Sequence, residues 1–287
     1  MPCKPGALSF CMIVKNEERD LPGCLDSVRE LASELVVVDT GSTDGTPRIA
    51  AEYGAKVIAF DFTRVNFTEA RNAAIDNAAC AWILMLDADE RLAPGAAARI
   101  EPLIAKNENA GYFLERHNHA SDSATVNKDY VVRLFPNRAG YRYRGRVHET
   151  VDASILAGGG RLIQTDIGIE HSFLSGREIR RNKNRWYIGI LKEEIAADPH
   201  DSTRLDFLAA EYHQLEMFNE ATAVMEEIVR MRPSDARAHL FLGTYHLLYQ
   251  NNPSRARADF ERALALKPGY PEAQSFLQRI DEQERLS

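Results

Sequence analysis

The stretch LVVVDTGSTDGTPRIAAEYGAKVIAF, residues 35–60, predicts a strand, a helix and a second strand. The apolar runs LVVVD (35–39) and KVIAF (56–60) are nearly continuous, which is typical of strands buried on both faces of a parallel sheet. Between them, GTPRIAAEYG (45–54) has a proline in its first turn and ends on a glycine, as helices often do. This order indicates a parallel βαβ unit.

The same alternation continues on either side of this unit. Apolar runs at LSFCMIV (8–14) and WILML (82–86) predict two more strands, and residues 21–31 and 68–79 have the spacing of amphipathic helices. The resulting βαβαβαβ order predicts an α/β domain with a mostly parallel, doubly wound sheet. Ligands of such sheets bind at the carboxyl ends of the strands.

The alternation of predicted strands and helices stops between residues 111 and 173. GYFLERH (111–117), YVVRLF (130–135) and IGIEHSF (167–173) predict three further strands. The loop NRAGYRYRGRVHE (137–149) is rich in arginine and glycine. We expect this region to shape the site of a second substrate, because loops carried by a rigid sheet commonly do so.

The last third of the chain is predicted to be helical and periodic. Pro199, Pro233 and Pro268 are 34 and 35 residues apart, and each follows a helical run. This period and the small residues at expected helix crossings resemble tetratricopeptide repeats. Residues 177–198 are expected to form a capping half-repeat and residues 271–284 a terminal helix. An unrelated helical bundle is the alternative.

The length of 287 residues suits two domains, which we place at residues 1–174 and 175–287. The chain has 42 acidic and 35 basic residues, a net charge of −7, which argues against nucleic acid or an anionic membrane as a partner. No apolar run approaches the length of a membrane span, and no signal peptide is recognisable. The four cysteines have no metal-site spacing. We therefore expect a cytoplasmic protein.

Three carboxylates follow the run WILML within four positions: Asp87, Asp89 and Glu90. Arg91 is the basic residue beside them, so we expect a divalent cation and a bound diphosphate to compensate their charge. Two other interpretations are weaker. A haloacid-dehalogenase phosphatase carries its D-x-D motif after the first strand, and a calcium loop has more oxygen ligands and a glycine at its turn.

Four segments, taken in order, resemble the family 2 nucleotide-diphospho-sugar glycosyltransferases, which have the GT-A fold. They are MIVKNEE (12–18), VVVDTGSTDGT (36–46), FTEARNAAI (67–75) and LMLDADE (84–90). The resemblance covers roughly residues 7–173. It implies a GT-A catalytic domain followed by the tetratricopeptide-like helices.

The resemblance also implies roles for individual side chains. Those implied to bind the nucleotide-sugar donor are Glu17, Asp39, Asp61, Arg71 and Asp87. A divalent cation, Mn²⁺ or Mg²⁺, would be held by Asp89, with Asp87 beside it and His171 as a further ligand. Family members invert configuration in one displacement, which requires a base on the acceptor side. In RVHETV (146–151), Glu149 is the first candidate and His148 its support, and the reverse assignment stays open.

The implied activity is an inverting, metal-dependent transfer of a hexose from a nucleotide-diphosphate donor, most often a UDP-sugar. The repeats point to a peptide acceptor, whereas the catalytic half also resembles transferases that act on lipopolysaccharide, so a glycan or lipid acceptor stays open. The helical domain could also build a homodimer. Two alternatives are a catalytically inactive transferase domain serving as a scaffold and a sugar-1-phosphate nucleotidyltransferase. The latter would have a glycine-rich loop and a lysine after its first strand.

Overall fold

The computed structural model describes residues 6–63, 66–120, 126–173 and 177–286. It contains two compact units, Met1–Gly176 and Arg177–Ser287. The domain prediction had placed the boundary after residue 174. Each unit has its own secondary structure and is described by itself.

The first unit is built on one eight-stranded sheet. Its strands are β1 (Leu8–Val14), β2 (Glu34–Asp39), β3 (Lys56–Ala59), β4 (Trp82–Met85), β5 (Glu90–Leu92), β6 (Ala110–Ala120), β7 (Val126–Pro136) and β8 (Arg161–Phe173). Their order across the sheet is β3-β2-β1-β4-β7-β6-β8-β5. The four strands predicted first are mutually parallel, and β7 pairs antiparallel with β4. The predicted α/β fold class with a GT-A-like sheet is confirmed, and the sheet, predicted as mostly parallel, is mixed: β7 and β5 pair antiparallel with their neighbours.

Helices cover both faces of this sheet. They are α1 (Leu21–Val28), α2 (Thr46–Glu52), α3 (Phe67–Asp76), α4 (Ala96–Lys106) and α5 (Asp152–Ala157). Side chains alternate along the buried strands as a pleated backbone requires. In β1, Phe10 and Met12 belong to the core on one face and Cys11 to the core on the other. The near-continuous apolar runs in the sequence therefore reflect burial on both faces.

The second unit is helical. Its helices are α6 (Arg177–Ala197), α7 (Ser202–Gln214), α8 (Phe218–Met231), α9 (Ala236–Leu248), α10 (Pro253–Leu266) and α11 (Pro271–Leu286). The three periodic prolines each come two residues after α6, α8 and α10 end, where a residue without a backbone N–H cannot continue a helix. Gly243 lets α9 approach α10, because a Cβ atom there would lie 2.8 Å from the Phe260 ring. The predicted tetratricopeptide-like helical region is confirmed.

Within the described ranges, no helix combines the length and the apolar character that crossing a bilayer demands.

Candidate active site

Asp39 ends β2, and the turn that follows fixes its carboxylate. The backbone N–H of Ser42 lies 3.2 Å from each carboxylate oxygen, and the Ser42 hydroxyl donates to Oδ1 at 2.5 Å. Gly41 has a φ of +96°, a conformation that favours glycine. The TGS sequence after the strand therefore holds Asp39 in one orientation. Asp39 is largely buried, with an exposure of 9%.

The loop after β1 is tied to the same turn. Asn16 adopts a left-handed φ of +57°, and its Oδ1 atom accepts the backbone N–H of Thr43 at 2.7 Å. Its own N–H donates to the Ser42 hydroxyl at 2.9 Å, and the N–H of Glu17 donates to the Thr46 hydroxyl at 2.7 Å. These contacts bring Glu17 beside the turn that follows Asp39. The two sequence motifs therefore form one surface.

Glu17 lies in a strongly acidic environment. Burial and the negative charges of Asp89, Asp20, Asp87 and Asp44 raise its pKa to about 7. The sequence motif MIVKNEE thus brings a carboxyl group near the DADE motif, which is 70 residues further along the chain. A cation or a hydrogen-bond donor from a ligand would relieve this repulsion.

Because the pKa of Glu17 is raised in the folded state, ionisation of its carboxyl at alkaline pH destabilises the fold. A carboxyl whose folded pKa is raised binds more protons when folded, so its contribution to stability is lost as pH rises through about 7. Glu17→Gln is expected to raise the midpoint of thermal unfolding at pH 8 by about 4 °C and to leave the midpoint at pH 4 almost unchanged. Differential scanning fluorimetry at both pH values tests this, with the exposed Glu30→Gln as control. An equal response of the two variants would contradict it.

Asp87 is held by three side chains, Arg71, Arg133 and Glu90, which we call the Asp87 clamp. Arg71 Nη2 donates to its Oδ1 atom at 2.7 Å and Arg133 Nη2 to its Oδ2 atom at 2.8 Å. Glu90 Oε2 accepts the backbone N–H of Asp87 at 3.0 Å. Burial would raise the pKa of Asp87, but the charges of Arg71 and Arg133 outweigh it and hold the pKa far below its usual range.

The expectation that a cation compensates all three carboxylates is wrong for two of them. Arginines distant in the sequence compensate Asp87 and Glu90, and Glu90 is fully buried. Arg91, the basic neighbour in the sequence, is half exposed and its guanidinium lies 3.9 Å from Asp20 instead. Asp89 is different, because its contact is with a histidine.

Asp89 and His171 are the pair that could hold a metal. His171 Nε2 lies 3.3 Å from Asp89 Oδ2, and His171 Nδ1 lies 2.7 Å from Asn118 Oδ1, which orients the ring. Two ligands at right angles around Mg²⁺ are about 3 Å apart, so this separation fits. Among the residues that the structure describes, no three or more His, Cys, Asp or Glu side chains are grouped to hold a metal. Asp89 supplies the carboxylate of the usual Mg²⁺ arrangement, in which substrate phosphates and water complete the shell, whereas an imidazole such as that of His171 is a ligand for transition-metal ions.

The acceptor-side candidates lie in a loop that α3 supports. Arg144 and Thr150 exchange backbone hydrogen bonds of 2.9 and 3.2 Å, which close the turn containing His148 and Glu149. Asn72 binds both backbone groups of Tyr143 in the same loop, at 3.1 and 2.9 Å. Asn72 of α3 therefore anchors this loop.

One guanidinium joins the donor side to the acceptor side. Arg71 Nε donates to Glu149 Oε1 at 2.6 Å, while its Nη2 atom binds Asp87. The structure thus brings together Asp87, Arg71 and Glu149, and places Asp89 with His171. His148 adopts a left-handed φ of +48° beside Glu149. Asp61 is exposed, and its Oδ1 atom accepts the backbone N–H of Thr63 at 3.0 Å.

The sequence analysis did not predict that Arg133 belongs to this site, or that the Glu90 side chain is buried and binds Asp87 and Arg133. The signal was an arginine inside the apolar run YVVRLF, since a cation in a buried strand demands a nearby carboxylate. Its partner could not be read from the sequence, because the pairing of β7 with β4 is set by the sheet order.

The chain is similar in sequence to a known protein family and to individual known proteins. The model of glycosyl transferase family 2 matches residues 9–170. A TPR repeat-containing protein of Synechococcus elongatus is 41% identical over 150 residues, which are 52% of this chain and 36% of that protein. Glycosyltransferase SunS of Bacillus subtilis is 24% identical over 229 residues, 76% of this chain and 52% of its own. The chain therefore spans 36% and 52% of the length of these two relatives.

A solved structure resembles the chain in fold. The crystal structure of S. aureus TarS 1-349 in complex with UDP-GlcNAc superposes with a TM-score of 0.50 at 15% identity, and the match covers 98% of this chain and 92% of that one. At this identity the likeness concerns the fold alone. It agrees with the mixed sheet described above.

Proposed function

Because this chain belongs to glycosyl transferase family 2, we propose that it transfers a sugar from a nucleotide-diphosphate donor to an acceptor hydroxyl. The observation that carries this proposal is the bridge from Asp87 through Arg71 to Glu149. It places a donor-side carboxylate and a candidate base on one guanidinium. The reaction we infer is an inverting transfer of a hexose, because a base on the acceptor side serves a single displacement.

We assign the donor side to Glu17, Asp39 and Asp87. Asp39 and Glu17 lie on one loop surface at the carboxyl end of the parallel strands, which is where α/β sheets bind nucleotides. Asp61 and Arg71 are further donor contacts in this proposal. The guanidinium of Arg71 already binds two carboxylates of the protein, so positioning these carboxylates is the role its contacts favour. UDP is the proposed nucleotide, because a structural neighbour was solved with UDP-GlcNAc.

We propose that Asp89 and His171 hold a divalent cation, Mn²⁺ or Mg²⁺. When bound, such an ion would neutralise charge on the departing nucleoside diphosphate. The described contact of the Asp89 carboxylate is with His171, whereas the arginines bind Asp87, so Asp89 is the better candidate ligand. Asp87 is a weaker candidate ligand because each of its oxygens already accepts a guanidinium N–H.

On the acceptor side, Glu149 accepts the proton of the attacking hydroxyl in this proposal, and His148 orients the acceptor. The acceptor itself is a peptide or a glycan or lipid. Support for a peptide comes from the helical unit and from the relative named as TPR repeat-containing, since helical repeats commonly bind peptides. A cytoplasmic location and a homodimer formed through the helical unit remain predictions.

Donor binding tests the proposal. A thermal-shift panel of UDP-, GDP- and dTDP-sugars, each with and without Mn²⁺, is expected to show one preferred donor. A donor at about 100 times its dissociation constant adds about 2.7 kcal/mol, so the shift is readily measured. Asp89→Asn should remove the Mn²⁺-dependent part of the shift and leave the remainder, because the amide keeps its size and loses its charge.

The matched control for this substitution is Asp166→Asn, an exposed aspartate in the middle of β8 that is paired with Arg99. An unchanged Mn²⁺ effect in the Asp89→Asn variant would remove Asp89 from the metal site. If no nucleotide sugar shifted the wild-type protein with Mn²⁺ present, the scaffold alternative would replace the proposed function.

A further inference from the structure

Glu90 completes the DADE motif, and its carboxylate binds groups of the protein itself. Its side chain is fully buried. Oε2 accepts the backbone N–H of Asp87 at 3.0 Å, and the backbone N–H of Glu90 donates to the Asp87 carbonyl at the same distance. The two residues are thus joined twice across a tight turn. The third carboxylate of the motif is a structural support for the first.

Arg133 links the other oxygen of Glu90 to the Asp87 side chain. Its Nη2 atom donates to Glu90 Oε1 at 2.6 Å and to Asp87 Oδ2 at 2.8 Å. The side chain is 7% exposed, so it has few alternative partners in water. The ladder between β4 and β7, in which Leu84 faces Leu134, fixes the strand that carries Arg133 relative to the end of β4. Asp87 is therefore held by its backbone through Glu90 and by its side chain through Arg133.

The buried charges of the clamp are paired within the protein. Arg71 and Arg133 bind the carboxylates of Asp87, Glu90 and Glu149, and Arg116 joins Glu90 to Asp129, so three guanidinium groups meet four carboxylates. A buried charge needs such an opposite partner. The protein's own contacts therefore hold Asp87 without a ligand.

We propose that Arg133 and Glu90 are positioning residues that set the direction in which Asp87 accepts a hydrogen bond from the nucleotide of the donor. A carboxylate oxygen that already accepts one guanidinium N–H has one lone pair left. The arginine contacts therefore fix the direction from which Asp87 can accept a further hydrogen bond. Preorganised acceptors bind with less ordering cost than mobile ones. This inference rests on the proposed function, because it concerns the same donor site.

Arg116 offers a matched comparison. It is also an arginine of the sheet, and its Nη1 atom donates to Glu90 Oε1 at 3.1 Å. Its other described contacts are to Asp129, at 2.9 and 2.7 Å, and within the described part of the chain it has no hydrogen bond to Asp87. Replacement of Arg116 perturbs Glu90 and the local charge without touching the Asp87 carboxylate.

The experiment compares Arg133→Met with Arg116→Met, each alone and combined with Asp87→Asn. Isothermal titration calorimetry measures binding of the nucleoside diphosphate that the wild type prefers among UDP, GDP and dTDP, with Mn²⁺. Arg133→Met is expected to weaken binding about 10-fold or more, and Arg116→Met by a clearly smaller factor, because Arg116 reaches Asp87 through Glu90 whereas Arg133 binds it directly. Combined with Asp87→Asn, the Arg133→Met effect should shrink to less than about 2-fold, because residues acting through one group are not additive.

Arg133→Lys guards against misfolding, since it keeps the buried charge but replaces the planar fork with a single ammonium. It should weaken binding less than Arg133→Met does, and its effect should also vanish with Asp87→Asn. Three results would overturn the positioning role and leave the proposed function standing. They are equal losses of affinity for Arg133→Met and Arg116→Met, wild-type affinity in Arg133→Lys, and a loss in Arg133→Met that persists when Asp87→Asn is added. A wild-type protein that bound none of the three nucleotides would overturn the proposed function together with this inference.

Discussion

Replacing Glu149 by glutamine is expected to lower kcat about 1000-fold, within the range that a general base contributes. Binding of the nucleoside diphosphate should change by less than about 2-fold, because the base acts in the transition state. The amide oxygen can still accept the N–H of Arg71, which donates to Glu149 Oε1 at 2.6 Å in the wild type. The fold and the donor site should therefore survive. Release of nucleotide from the donor, with water as acceptor, measures the rate without knowledge of the natural acceptor.

His148→Gln is the companion variant, because it alters the adjacent side chain of the same turn. We expect its kcat to fall about 10-fold or less, since His148 would orient the acceptor without taking its proton. The acid limb of the pH–rate profile, which reports the free base, should disappear for Glu149→Gln and persist for His148→Gln. The opposite ranking would make His148 the base. If both variants kept the wild-type rate, the acceptor side would have to be sought outside this turn.

The positions of Asp39 and Asp87 in the fold could be predicted from sequence because they depend on local rules. Apolar runs followed directly by acids put Asp39 and Asp87 at the carboxyl ends of parallel strands, and the structure has both there. The proline period likewise placed the ends of α6, α8 and α10. In each case a short window of sequence contains the physical cause, either burial on two faces or the absence of a backbone donor.

What escaped prediction depends on strand order. Arg133 reaches Asp87 only because β7 lies next to β4, although 46 residues separate the two side chains. The spacing of apolar residues does not show which strand lies beside β4. A buried strand has the same apolar pattern whether it pairs parallel or antiparallel with its neighbour. The three-residue strand β5 is too short for a periodic signal, and Pro102 inside α4 obscures a helical one. As a result, the compensation of three carboxylates was predicted to come from a ligand when most of it comes from arginines.

Replacing Arg71 by methionine is expected to destabilise the sheet unit by about 3–5 kcal/mol, the usual cost of removing one partner from a buried ion pair. Its side chain is 7% exposed, and it pairs with Asp87 and with Glu149, which is 11% exposed. Trp82 is fully buried in β4, whereas Trp186 of the helical unit is 42% exposed. Urea unfolding followed by tryptophan fluorescence in a Trp186→Phe background therefore reports on the sheet unit.

The contact with Glu149 can be separated from the contact with Asp87 by a double-mutant cycle. If the unpaired Glu149 carboxylate causes much of the loss, Arg71→Met should cost less when combined with Glu149→Gln, by about 1 kcal/mol or more. Arg48→Met is the control, because its pair with Glu52 is exposed by 68% and 59% and should matter by less than about 0.5 kcal/mol. Equal costs for Arg71→Met and Arg48→Met would contradict the buried bridge. Since one guanidinium positions both Asp87 and Glu149, stability and turnover should fall together in Arg71→Met, whereas Glu149→Gln should lower turnover alone.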